Sequence, residues 1–441
     1  MKRRIPGLAL ILVVAGAGPR SAGGQQATAS PPGLRAVVRL SVRDAEQTAL
    51  KNNPGMSVAQ LEALASRQAA RQAASAFYPT LWASLTAVTD HPNSRITAGG
   101  LNNPIIYDRA AGGLAVNQLV TDFGRTANLH DSASLKADAF DERVVATAAQ
   151  ITLAVDRAFY AALQTRAVRE VARQTVAARQ AVADRVGALA RSKLKSDLDA
   201  SFAEVNLAEA NLLLLDAENA EKGSLAAFSA VLGYSEPPEF ELVEETTALE
   251  APPAAPDALV AEAIAHRPEL ITLDLDARSA ETFHFAEKDL ALPSIRAMGA
   301  VGATPFRNEA LGPWYGAVGV NVDIPLFNGF LFSARAKEAD LRAQAARQRL
   351  REAENAVSRD VRLAWLDTGT AWIRLSVTKQ LLQQADLAMD LARARYELGL
   401  ASIVELTQAE LQQTRAQIAV AEARYQYRLS QAVLRFQVGG S

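Results

Sequence analysis

The chain has 441 residues, 49% hydrophobic and 21% charged, room for roughly two to three domains and far from a disordered composition. It contains no cysteine, which speaks against a disulfide scaffold, a thiol nucleophile, a Cys-ligated zinc site and a lipidated N-terminal cysteine. With 46 Lys and Arg against 48 Asp and Glu, its net charge of −2 argues against a general nucleic-acid binder. In chain order, Lys2, Arg3 and Arg4 precede an apolar stretch from Ile5 to about Gly18, and small residues follow it (Ser21, Ala22, Gly23). That order is a secretory signal, read as residues 1–22 and followed by an N-terminal linker, 23–40. No later apolar run reaches the ~18 residues of a spanning helix, so any further membrane crossing falls to β-strands.

The remainder is written twice. Asn53-Pro54 and Arg267-Pro268 each follow an amphipathic start, and Tyr78-Pro79-Thr80-Leu81 resembles Leu292-Pro293-Ser294-Ile295. Further on, Val120-Thr121-Asp122-Phe123-Gly124 matches Leu326-Phe327-Asn328-Gly329-Phe330, and Ser196-Asp197-Leu198-Asp199 matches Ser402-Ile403-Val404-Glu405. The spacing between copies changes from 214 to 206 residues at a loop, as expected of a duplicated unit whose loops drifted. The units are 41–236 and 257–437, with a Pro-rich, acidic linker at 237–256 expected to hold little regular structure, and a tail at 438–441.

Each unit opens with a helix, roughly 41–77 and 257–291. Two strands follow, at about 80–90 and 111–121 in the first unit and 294–304 and 314–324 in the second. In Trp314–Ile324 one face reads Trp, Gly, Val, Val, Val, Ile and the other carries Tyr, Asn and Asp, the alternation of a strand between lipid and water. Proline-free stretches then run from Arg125 to Glu236 and from Leu326 to the end, and read as two very long helices per unit. Val144, Ala148, Ile151, Val155, Ala158 and Ala162 alternate at four and three, as do Leu382, Ala385, Met389, Ala392, Tyr396 and Gly399, which is the seam of coiled-coil packing. A helix from Phe123 to about Ser192 would be roughly 100 Å long, so an elongated molecule is expected. Four strands cannot close a membrane barrel, and an open edge in lipid costs several kcal/mol per unpaired group; several copies must therefore share one barrel.

Polar residues mark the element boundaries. Asp122 and Asn328 are expected to cap the long helices after the strands, with Gly124 and Gly329 easing the turns. Gly399 breaks the last helical stretch, after which Ser402 caps a returning helix with Glu405 as its capping-box partner; Ser196 and Asp199 copy the spacing after the turn at Lys193-Leu194-Lys195. Trp82, Tyr107, Trp314 and Tyr315 lie near strand ends, where a membrane interface or packing between strands would suit them, and Trp365 and Trp372 read as packing residues on a long helix. The scattered His91, His130, His266 and His284 lack ligand spacing, and no catalytic or cofactor motif stands out, so neither a metal, a cofactor nor an enzymatic activity is assigned.

Three segments together carry a resemblance: Leu119-Val120-Thr121-Asp122-Phe123-Gly124-Arg125, Val322-Asp323-Ile324-Pro325-Leu326-Phe327-Asn328-Gly329, and Tyr396-Glu397-Leu398-Gly399-Leu400-Ala401-Ser402-Ile403-Val404-Glu405-Leu406. Over about residues 40–437 the chain resembles the outer membrane efflux protein family of TolC-like outer membrane factors. The resemblance implies a mainly α-helical chain with a transmembrane β portion, a homotrimer with a twelve-stranded barrel in outer-membrane lipid, and a periplasmic α-helical tunnel. It also implies docking on a periplasmic adaptor (membrane fusion) protein and an inner-membrane RND or ABC transporter, the chain serving as a passive exit duct gated at its helix tips. The missing lipidation cysteine departs from the lipid-anchored members. On the same terms Leu398, Gly399, Leu400, Lys193 and Leu194 are the adaptor-docking candidates, and Glu405, Gln408 and Asp199 the pore-constriction candidates. Glu405 is equally readable as a helix cap on a solvated face. Gln408 and Ala401 stand where the family has an acidic and a basic residue, so a charged constriction is only partly reproduced. A soluble periplasmic coiled-coil scaffold is the alternative from the residues alone.

Overall fold

Proline decides where each repeat begins to bend. The single opening helix expected in each unit is two helices, because Pro54 and Pro268 cannot continue a helix and force the preceding residue into extended backbone (ψ 122° at Asn53, 121° at Arg267). In the computed structural model, which describes residues 38–89, 107–235, 238–244 and 248–440, the first repeat contains β1 (Val38–Leu40), α1 (Val42–Asn52), α2 (Pro54–Ala74), β2 (Thr80–Val88), β3 (Arg109–Thr121), α3 (Arg125–Arg191) and α4 (Asp197–Val231). The second contains β4 (Phe240–Leu242), α5 (Asp257–His266), α6 (Pro268–Lys288), β5 (Ser294–Arg307), β6 (Trp314–Asp323), α7 (Leu331–Glu397) and α8 (Ile403–Val438). The signal segment 1–22, most of the linker 23–40, the loop at 90–106 with His91, and Ser441 lie outside the described residues.

The duplication is visible in the elements. Helices α3 and α7 both have 67 residues, and α4 and α8 have 35 and 36. The closing helix of each repeat ends in a left-handed glycine, Gly233 (φ +82°) and Gly439 (φ +93°), and each glycine lies against the proline break of its own repeat, at Asn52–Asn53 and at His266–Arg267. Strand order β2-β3-β5-β6 makes one four-stranded antiparallel sheet. The helices attached to the strands keep that order, since α2 packs on α3, α3 on α6, and α6 on α7. Farther from the sheet the order becomes α4-α3-α8-α7, with α4 and α7 as the outer members. Among the described residues no helix is long and apolar enough to cross a membrane.

The seams bury small residues. Ile151, Val155 and Ala162 are buried on α3, and Ala385, Met389, Ala392 and Tyr396 on α7. The largest apolar cluster joins α1, α3, α4 and α8 around Phe159, Phe228 and Leu232, where Phe159 and Phe228 meet edge-on at 5.9 Å. Here the linker differs from expectation. Its residues Phe240–Leu242 form β4, paired in parallel with β1, and Leu40 and Leu242 are buried in the same cluster. Farther along, Trp365 Nε1 donates to Pro253 O at 2.8 Å and the Tyr427 hydroxyl donates to Glu250 O. Prolines excluded helix from this segment, but long-range pairing and side-chain donors on α7 and α8 gave it a fixed course.

Candidate functional site

Two regions have the exposure and chemistry to act: the sheet and the helix tips. In the sheet, register places Leu81 opposite Val116, Val116 opposite Gly299, and Gly299 opposite Val318, so one face reads apolar across all four strands. Leu85 and Val318 on that face are 92% and 93% exposed, and no helix covers them. A water-soluble sheet buries such a face; the arrangement suits acyl chains. The opposite face carries Thr80, Ser84, Asn117, Arg296, Asn321 and Asp323 among Gly and Ala. Tyr315 lies across this face and leaves no room for a side chain at Gly113 or Gly302. Of the aromatic residues considered for the membrane interface, only Trp314 extends the apolar face; Trp82 and Tyr315 belong to the polar one, and Tyr107 precedes β3.

Each strand passes to its long helix through two consecutive left-handed residues, Phe123-Gly124 and Gly329-Phe330. The helices begin two residues later than a cap at Asp122 or Asn328 requires, their N-caps being Gly124 and Phe330, so these two side chains act from outside the N-cap. Asp122 Oδ2 accepts from Thr126 N at 2.9 Å and Thr126 Oγ1 at 2.6 Å, whereas Asn328 Oδ1 accepts from Phe332 N at a long 3.4 Å.

At the other end, both tips close by the same hydrogen bonds. Lys193 N donates to Ala190 O and Leu194 N to Leu189 O, each at 2.9 Å; Gly399 N donates to Tyr396 O at 3.1 Å and Leu400 N to Arg395 O at 2.8 Å. This double bond pattern needs a left-handed residue after the helix, supplied by Gly399 (φ +75°) and, at greater cost, by Lys193 (φ +59°). Leu194, Leu398 and Leu400 project into solvent. Ser196 caps α4 in a complete capping box with Asp199. Ser402 caps α8 by accepting from Glu405 N at 3.3 Å, but the return bond expected of Glu405 is absent; its carboxylate instead meets Arg395 Nε at 3.3 Å. Competition from a guanidinium on α7 explains the difference, since a charged acceptor prefers a charged donor.

Between the tips, Tyr396 is buried among Val186, Met389 and Leu406, and its hydroxyl has no hydrogen-bond partner. Burial raises its phenol pKa above the ordinary value, and the nearby Asp199 charge adds to the shift. Lys195 Nζ stands 4.2 Å from the ring centroid. Arg185 and Glu397 pair at 2.8 Å, tying α3 to α7. The structure therefore gathers Asp199 and Lys195 around Tyr396 and holds Glu405 with Arg395, while Gln408 stays exposed on α8, one turn from Glu405. Higher up, sequence reasoning missed a buried polar layer. Arg179 Nη1 donates to Asn206 O at 2.9 Å, Asn206 Nδ2 donates to Thr407 Oγ1 at 2.8 Å, and Glu410 lies buried beside them. Burial pushes the Glu410 carboxyl above its ordinary range, against the opposing pull of Arg179 and Arg393. Its four-residue step from Leu406 is the available signal, placing a charge on an otherwise apolar seam. Among the described residues no three of His, Asp or Glu gather as a metal would need.

Long helical hairpins hung from an antiparallel sheet with one bare apolar face define the protomer of an outer-membrane channel fold. The family profile described as outer membrane efflux protein matches residues 46–234 and 259–440, and the chain belongs to that family. The outer membrane protein TolC of Escherichia coli (strain K12) is 25% identical over 170 residues, 38% of this chain and 33% of that one, so the chain spans about a third of the length of this curated relative. The fold is shared with the outer membrane protein VceC of Vibrio cholerae (TM-score 0.77, 19% identity, 91% of this chain and 96% of that one). It is shared also with the CmeC outer membrane channel of Campylobacter jejuni (TM-score 0.79, 14% identity, 90% and 85%).

Proposed function

We propose that the chain is one protomer of a trimeric exit duct across the outer membrane and periplasm, serving a tripartite efflux or type I secretion system. The apolar sheet face carries this reading, because exposed Leu and Val on four adjoining strands are stable only against lipid. Strands β2 and β6 are the free edges and run in opposite directions, so β6 of one copy continues the antiparallel ladder onto β2 of the next. Closure by three copies gives twelve strands, within the bacterial range of roughly eight upward. The outer tunnel helices support the same assembly: α4 exposes Leu198, Val205 and Leu212 at heptad spacing, and α7 exposes Leu366, Ile373 and Val377, two stripes suited to meet between protomers.

The membrane anchors the barrel, and the hairpins reach through the periplasm. The tips, with Leu194, Leu398 and Leu400 around Lys193 and Gly399, are the surface for a periplasmic adaptor, which in turn joins an inner-membrane RND or ABC transporter. Asp199, Glu405 and Gln408 line the entrance. Transport is passive here: the pump supplies energy, and this protein supplies a sealed path and a gate. Fractionation and native mass spectrometry of the detergent-extracted protein test the proposal. An outer-membrane trimer is the expected result. A monomer that stays in detergent-free buffer and scatters as a compact particle overturns it.

A further inference from the structure

At the margin farthest from the helices, the polar face of the sheet ends in two arginines. Arg109 opens β3, Arg307 closes β5, and the two are direct cross-strand partners. A β-bulge puts them on one face. From the Gly112–Ala303 pair to the Ala110–Phe306 pair, β3 advances by two residues and β5 by three, which inverts the alternation of β5 beyond the bulge. Unbroken alternation would aim Arg307 with Val301 and Ala303 toward lipid. Instead Phe306 joins Leu85, Ala87 and Ala110 around an apolar hollow, and Arg307 turns to the side of Arg109, Gly113 and Asn117. Thr304 holds the bulge: it is buried, and its hydroxyl donates to Gly312 O at 2.7 Å.

The pairing is electrostatically adverse, since like charges directly opposite on a ladder repel. Arg307 donates Nε to Leu311 O at 3.1 Å and Nη1 to Thr304 O at 3.4 Å, and among the described residues neither arginine forms an ion pair. The carboxylates described at this margin are Asp108, one residue before β3, and Glu309 in the β5–β6 turn. The bulge spares the apolar face a charge and brings both arginines of one cross-strand pair to the polar face, where two like charges favour an anion nearby.

We propose that Arg109 and Arg307 form an anion-binding collar at the outer mouth of the barrel, repeated by each protomer, which engages multiply charged phosphate-like or sulfonate-like solutes. The collar rests on the trimeric channel reading above. It charges the exit positively, so anionic cargo is concentrated there and bulky polyanions outside can plug the mouth. The test uses the full chain in planar bilayers at low KCl, with inorganic hexametaphosphate added on the barrel side. Wild-type current falls, and the Arg109→Gln/Arg307→Gln pair raises the half-blocking concentration roughly tenfold or more while its unblocked conductance stays within about twofold. Arg109→Lys/Arg307→Lys keeps most of the block. Should the Gln pair fail to assemble, raising KCl about tenfold must relieve the wild-type block, because screening shortens the reach of the guanidinium charges. Equal block of wild type and the Gln pair, or a barrel-side block indifferent to salt, overturns the collar and leaves the channel standing. A wild type that forms no pores overturns the channel and the collar with it.

Discussion

At the tips, one backbone angle sets what each residue can do. Gly399 sits at φ +75° with open space around it, so a side chain there is resisted by the backbone alone. Gly399→Ala is expected to cost about 1 kcal/mol at the turn. Gly399→Pro is worse, because proline holds φ near −65° and removes the N–H that binds Tyr396 O. Loss of export by Gly399→Pro, with normal membrane insertion, is the expected result; unaltered export would count against a docking role for this tip. Glu410 supplies a pH prediction with a definite sign. Burial raises its pKa in the packed hairpins, so the packed state holds the proton more tightly than a loosened one. Its contribution favours packing at acid pH and is lost as pH rises through the raised pKa. Thermal midpoints followed across pH should therefore show a weaker acid-side gain in Glu410→Gln than in wild type. By contrast, Tyr425, pushed up to about 12 by burial and the Glu244 charge, stays a hydrogen-bond donor to Glu244 Oε2 at 3.2 Å throughout the physiological range.

At the scale of elements, the long helices are held by cross-links as well as by small-residue seams. Ser132 on α3 and Ser279 on α6 each donate a hydroxyl to the other's carbonyl at 2.8 Å, a reciprocal pair possible only where two helices approach closely. Asp276 accepts from both Lys136 (2.7 Å) and Arg143 (2.9 Å), and Glu287, itself buried, receives Arg335 in two bonds of 2.6 and 2.9 Å. Removing the guanidinium by Arg335→Ala leaves a buried carboxylate without its charged donor, a loss of about 1–3 kcal/mol because Arg335 itself is partly exposed. A fall in the thermal midpoint that Arg335→Lys only partly restores is the outcome expected from the two-bond geometry.

For the whole molecule, the described sheet ends in two unpaired edges, β2 and β6, and α4 and α7 carry exposed apolar stripes, which the proposed trimer brings together between copies. Ile373 and Val377 are 63% and 55% exposed on α7, so Ile373→Asp/Val377→Asp should leave the protomer's own packing intact while placing charges between subunits. Native mass spectrometry should then show fewer trimers, with helix content by circular dichroism unchanged. A trimer as abundant as wild type would remove α7 from the interface.

Much of this was legible in the residues. Alternation marks the strands because side chains on a strand change sides at every step, and seams mark the long helices because three-and-four spacing returns to one stripe. Duplication was readable because paired prolines and turn motifs recur at fixed offsets, and the tip turns because Gly399 and the capping serines act through local backbone geometry. Contacts between distant segments were not legible. Sequence spacing could not show that β4 pairs with β1, that Arg395 draws Glu405 from its capping bond, or that a bulge at Thr304 turns Arg307 from the apolar face of the sheet to the face of Arg109. Each of these depends on which partner stands closest across the fold, and that is decided when the hairpins and strands pack against one another.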